Sequence, residues 1–140
     1  MKRASYVLRM MILSVFVLSA TGIGNAQYGQ VLKVKIPFHF SVGKQSFPSG
    51  DYTLVPSIQH TMLLRNRRGQ VLTSIGTNSV ESGSVPTSVK VIFNGYSGHY
   101  FLAQVWQSGN SIGQQVIKSP VEIEIARNRP GLTAVRFVTH

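Results

Sequence analysis

The side chains of this 140-residue chain that could do chemistry fall into a few groupings, each with its own geometric requirement. A nucleophilic hydrolase needs a nucleophile, a base and a group that orients the base. Serines are abundant, and His39, His60 and His99 supply imidazoles, but there is no Gly-x-Ser-x-Gly elbow and Asp51 is the only aspartate. Asp51 follows Pro48-Ser49-Gly50, where an aspartate ordinarily holds a turn. A glycosidase needs two carboxylates facing across a substrate. Only Asp51, Glu81, Glu122 and Glu124 are available, and Glu122 is better explained as the acid of a helix cap. In a helix Glu122 and Glu124 point to different faces; in a strand they share one face, on the surface. His39, His60, His99 and His140 include no pair at the spacing of a local metal site, and the absence of Cys removes thiolate ligands. These patterns predict no catalytic residue, no metal and no cofactor.

Two further groupings point to binding. Arg65, Arg67 and Arg68 are clustered, with Arg65 and Arg67 expected on one face of a strand and Arg68 entering the turn after it. Joined by Lys33, Lys35 or Lys90 from neighbouring strands, they make a cationic patch, and guanidinium groups suit carboxylate or phosphate partners. A solvated sheet face is the plainer reading of the same charges. Tyr96, Tyr100, Phe101 and Trp106 crowd around one hairpin. Simple alternation puts Tyr100 and Trp106 on one face, a candidate platform for a sugar ring or a peptide, with core packing as the competing role. The expected ligand contacts are therefore Arg65, Arg67, Arg68, Tyr100 and Trp106.

The N-terminus constrains the compartment. Lys2, Arg3 and Arg9 precede an apolar run of about 11 to 15 residues, and small residues follow up to Ala26, the layout of a secretory signal peptide. A spanning helix needs about 20 apolar residues. Residues 1–26 are thus expected to be removed, leaving 27–140 as one exported domain in the periplasm or outside the cell, with no transmembrane segment. The chain carries 14 basic against 4 acidic residues, net +10, and loss of Lys2, Arg3 and Arg9 would leave about +7. In an exported protein the matching polyanion is an anionic envelope polymer or acidic glycan, and no nucleic acid is expected; excess charge also serves solubility alone.

Period-two alternation dominates the rest. Leu32, Val34, Ile36, Phe38 and Phe40 share one face of a strand over Val31–Phe40, with Lys33, Lys35 and His39 opposite and Pro37 marking an edge or bulge. Further strands are expected over Tyr52–Ile58, Thr61–Arg67, Gln70–Gly76, Ser88–Asn94, His99–Trp106, Ile112–Lys118 and Leu132–Val138. Gln27–Gln30 reads as a short tail, Thr77–Thr87 as a polar loop, and Gly95-Tyr96-Ser97-Gly98 as a hairpin turn. Ser119, Pro120 and Glu122 make a capping box for a helix from Pro120 to about Asn128, with Val121 and Ile125 on its buried face. The alternation of residues 121–126 leaves a strand as the alternative there.

The motifs VKIPFHFSVG over 34–43, PSGDYTL over 48–54, YFLAQVW over 100–106, and Lys118-Ser119 running into Glu124-Ile125-Ala126-Arg127 resemble a group of small exported β-rich proteins found mostly in acidobacterial genomes. The resemblance covers most of Val31–Arg127 and implies an exported β-domain; it assigns no activity. The chain departs from the group at His39, where relatives carry an acidic residue.

The fold expected is all-β and mainly antiparallel: a small barrel or sandwich of six to eight strands with one short C-terminal helix. The function expected is that of an exported, non-catalytic binding or structural protein. The alternatives are a binder of acidic glycan through a cationic sheet face, and an enzyme of unrecognised type should His39 and Asp51 meet in a cleft. An incompletely closed sheet would also leave edges for self-association.

Overall fold

The computed structural model describes residues 30–57, 59–128 and 131–139 of the chain, and for 132–139 the backbone path. The expected leader, 1–26, lies outside the described residues, as do 27–29 of the expected tail, Ile58 and His140. Ten strands and one helix follow: β1 (Leu32–Ile36), β2 (Phe40–Val42), β3 (Gln45–Phe47), β4 (Gly50–Ser57), β5 (Thr61–Asn66), β6 (Val71–Glu81), β7 (Val89–Tyr96), β8 (His99–Trp106), β9 (Ile112–Val116), α1 (Pro120–Asn128) and β10 (Leu132–Thr139). Among the described residues the fold is mostly β and mainly antiparallel with one short C-terminal helix, as the alternation and the capping signal predict.

The pairing runs β1-β4-β5-β6-β9-β8-β7-β10, all antiparallel. The β2–β3 hairpin leans on β8 through a parallel contact, Ser41 opposite Phe101. The long β6 belongs to two sheets. Its first half, Val71–Gly76, pairs with β5, and its second half, Thr77–Glu81, pairs with β9. A first sheet of β1, β4, β5 and early β6 therefore passes into a second of late β6, β9, β8, β7 and β10. The sheet is not closed: Cα atoms of β1 and β10 come within 8 Å, but no ladder joins them among the described residues.

One core fills the space between the sheets. Leu32, Val34, Ile36, Leu54, Met62, Leu64 and Ile75 enter from the first, and Val91, Phe93, Leu102, Val105 and Val116 from the second, with Phe40 and Val42 of β2. Burying each such side chain contributes about 1.5–3 kcal/mol before the entropy of ordering is counted. β1 reads inward at Leu32, Val34 and Ile36 and outward at Lys33 and Lys35, as its pattern requires. Phe38, Phe40, Phe47, Tyr52 and Phe93 add edge-on and tilted ring contacts at one end.

Several boundaries differ from the sequence reading. The first strand breaks at Pro37 and resumes as β2, and β3 is an additional short strand, so the count reaches ten. Half of the expected loop over Thr77–Thr87 is strand, because Thr77 is held at both ends: its N–H donates to His60 O at 2.8 Å and its hydroxyl to Gln114 Oε1 at 2.7 Å. The β7–β8 turn tightens to Ser97-Gly98, both at positive φ, the backbone of a two-residue hairpin. Residues 121–126 are helical, so the capping signal outweighs the alternation.

Candidate binding surface

The outer face of the first sheet carries the basic residues. Register places Lys33 opposite Thr53 and Thr53 opposite Arg65, a row across β1, β4 and β5. Strands lie about 4.8 Å apart, so the Lys33 and Arg65 backbones are separated by about 10 Å. Lys35 stands opposite Asp51, the one acid on this face. Lys33, Lys35 and Asp51 are exposed, and Arg65 is half-buried.

Arg65 is the unusual member. Its Nε is buried and has no hydrogen-bond partner. A desolvated guanidinium N–H without an acceptor is costly, and orphan donors of this kind are uncommon in folded chains.

Arg67 and Arg68 sit differently from the expectation. β5 ends at Asn66, so Arg67 lies in the turn with Arg68 rather than on the strand face beside Arg65. The reason is Asn66. Its Oδ1 accepts from the N–H of Arg68 and of Gln70, both at 3.0 Å, and its Nδ2 donates to Gln70 Oε1 at 2.8 Å. This side-chain-held turn closes the hairpin and leaves both arginines exposed. Because Asn66 faces Tyr52, the neighbour of Asp51, the turn stands at the same end of the sheet as Lys35. Lys90 does not join the patch, since it lies on β7 in the second sheet, opposite Trp106.

The aromatic platform is corrected. The β7–β8 register slips between Ile92 and Phe93, so that Ile92 faces Gln104 while Phe93 faces Leu102, and Ala103 bulges out of the count. One extra residue reverses the faces beyond it. Tyr100 therefore faces the core side, its ring 4.4 Å from that of Phe38. Trp106 faces the other side, buried against Gly113, with Nε1 donating to Gln104 Oε1 at 3.1 Å. The two rings share no face and offer no joint platform.

The helix brings a site that sequence reasoning missed. Ser119 caps α1 as expected: its Oγ accepts from the Glu122 N–H at 3.2 Å, and its carbonyl accepts from Ile123 at 3.0 Å. The Glu122 carboxylate does not stay at the cap. It is buried, and Oε1 accepts from Asn94 Nδ2 at 2.9 Å and from Tyr96 OH at 3.3 Å. α1 is thus tied to the outer face of β7 through its acid, with Ile125 and Ala126 half-buried, while Val121 and Ile123 are exposed. The expected burial of Val121 is overturned because Asn94 and Tyr96 offer donors that only the carboxylate can use. Burial, the Glu122 charge and the hydrogen bond together raise the Tyr96 phenol above its ordinary range.

Among the described residues, no three His, Asp or Glu side chains are placed to hold a metal ion. No described helix is long and apolar enough to cross a membrane. No family model, curated protein or solved structure matches the chain.

Proposed function

We propose that the chain is an exported, non-catalytic binding protein of the cell envelope or extracellular space, and that it holds an acidic glycan on the outer face of its first sheet. The observation that carries this reading is the Lys33–Thr53–Arg65 row, with the exposed Arg67 and Arg68 at the end of the same sheet. Arg67 and Arg68 extend the charge at the end of the sheet, where a long polymer would continue past the row. Guanidinium forks favour carboxylate over neutral hydroxyls, and a flat sheet face favours a chain over a compact small molecule. The leader-like N-terminus, and the resemblance to small exported β-rich proteins, support export.

The test is chromatography of the purified protein on immobilised alginate, a polyuronate, with dextran as the neutral control. Exposed charges interact over about 10 Å at 0.1 M salt and about 3 Å at 1 M, so salt should release the protein from alginate. Arg65→Gln should elute earlier, and the Arg65→Ser/Arg67→Ser/Arg68→Ser variant earlier still. Equal retention on dextran, or unchanged elution of the triple variant, rejects the site. Release of new reducing ends from alginate would make the protein an enzyme and reject the non-catalytic reading.

A further inference from the structure

The point where β6 passes from one sheet to the other leaves a slot. It has a volume of about 280 Å³ and lies between early β6 and the tip of the β2–β3 hairpin. Its apolar lining reaches the core through Val42, Ile75 and Val116, all buried. Its far wall is the exposed Gly43-Lys44 tip.

The near wall is a strand edge. Thr77 N–H donates to His60 O, toward β5, whereas Gly76 O accepts from Ile117 N, toward β9. Backbone groups alternate sides along a strand, so Ser74, two residues before Gly76, turns its N–H and C=O to the slot side. Its register partner on β5, Leu63, forms a non-hydrogen-bonded pair with it by the same alternation. The β9 ladder would need Ser119 opposite Ser74, but Ser119 is the cap of α1, and the chain leaves the sheet there. The helix therefore takes the residue that would have completed the edge.

We infer that this slot takes an extended acidic peptide segment, added as a strand to β6 at Ser74 and seating one apolar side chain on Val42, Ile75 and Val116. Strand addition needs an unpaired edge for affinity and a side-chain hole for specificity, and both are present. The volume lies just below the roughly 300–1,000 Å³ of small-molecule pockets, which fits one or two side chains of a longer ligand lying along the edge. Charge selects the occupant. Lys44 lines the slot, Lys118 follows its Ile117, and no acidic residue lines it. A second copy of this chain, whose basic residues outnumber its acidic ones with or without residues 1–26, would be repelled. The inference is independent of the glycan reading, since the slot and the Lys33–Arg65 row share no residue.

The test uses the full protein and a blocked pentapeptide, Asp-Val-Thr-Val-Asp, with Lys-Val-Thr-Val-Lys as its charge-reversed control. Binding of the acidic peptide should slow amide exchange at Ser74 by at least about tenfold, the equivalent of one backbone hydrogen bond. Ser74→Pro deletes the slot-side N–H and leaves the β5 ladder intact, so peptide affinity should fall about tenfold with the fold retained. Lys44→Glu, which touches no ladder, should weaken the acidic peptide and strengthen the basic one. Unchanged Ser74 exchange at saturating peptide, or equal affinity for both peptides, overturns the proposal. Concentration-dependent dimerisation that protects Ser74 without peptide would instead assign the slot to a second copy and overturn the acidic occupant.

Discussion

On the outer face of the first sheet, Lys33, Thr53 and Arg65 stand in register, Lys33 exposed and the other two half-buried. On the outer face of the second, Tyr96, Phe101 and Trp106 are each buried although none belongs to the central core. Both faces arise from antiparallel strands with period-two alternation. Two local events separate them. The bulge at Ala103 puts Phe101 and Trp106 on the same outward face; α1 is tied to one end of that face at Asn94 and Tyr96, where the Tyr96 and Phe101 rings lie 6.1 Å apart, and Trp106 packs on Gly113 at the other. The covered face has its polar groups satisfied internally, since Asn94 and Tyr96 donate to Glu122. The open face keeps an unsatisfied Arg65 Nε. A face that saturates its own donors gains stability from them, whereas a desolvated donor left without an acceptor costs it.

The largest effect expected on this contrast comes from the covered face. A Cβ added at Gly113 would lie 2.5–2.8 Å from three ring carbons of Trp106. The ring is buried and cannot swing aside as a flexible chain end would. Gly113→Val should cost about 3 kcal/mol in a denaturant titration. Gly83→Ala, where nothing lies within 4 Å, is the control and should stay within about 0.5 kcal/mol. Equal losses would mean that Trp106 is not packed as described.

Next in size is the loss of the acid under the helix. Glu122→Ala strands two donors and should cost about 2 kcal/mol, whereas Glu122→Gln keeps an acceptor and should cost less. The same site gives a pH signature. The Tyr96 phenol is raised above 10.0 in the folded chain, so the folded state keeps its proton to higher pH than the unfolded state does. That contribution is complete below about pH 10 and is lost as pH climbs through the raised value. Tyr52, raised by burial with its hydroxyl donating to Pro48 O at 2.6 Å, adds to the same alkaline loss. Tyr96→Phe should therefore flatten stability between pH 9 and 12 relative to the parent chain; an unchanged slope would remove Tyr96 from the account.

The open face was largely legible in the sequence and the covered one was not. Lys33, Lys35 and Arg65 follow from plain alternation, which local residue types determine. The helix was legible too, because Ser119, Pro120 and Glu122 form a local signal. The partner of Glu122 was not, since Asn94 lies 28 residues away and only the tertiary fold brings it near. The bulge was likewise hidden: Leu102-Ala103-Gln104 reads as an ordinary strand, and one skipped residue reversed the assignment of Tyr100 against Trp106. Arg67 could have been placed correctly from Asn66, whose side chain is suited to closing a turn two and four residues on.

A smaller effect should fall on the open face, with opposite signs for stability and binding. Arg65→Met removes a desolvated donor without an acceptor and keeps much of the apolar stem, so stability should hold or rise by up to about 1 kcal/mol. Retention on alginate should fall in the same variant. A loss of both would mean that Arg65 is a structural residue with partners of its own.

The smallest change belongs to the outer side of α1, and it sets the boundary of the covered face. Val121 and Ile123 are 40% and 45% exposed, flanking a Glu122 that is 3% exposed. In an ordinary amphipathic helix the apolar neighbours would be the anchor and the acid the solvated residue. Here the hydrogen bonds to Asn94 and Tyr96 reverse the roles. Val121→Ser and Ile123→Ser should therefore each change stability by no more than about 0.5 kcal/mol, well below the loss from Glu122→Ala in the same denaturant series. Were either serine to cost as much as the alanine, the helix would be held by its apolar side, and the carboxylate would be a passenger rather than the tie between α1 and the sheet.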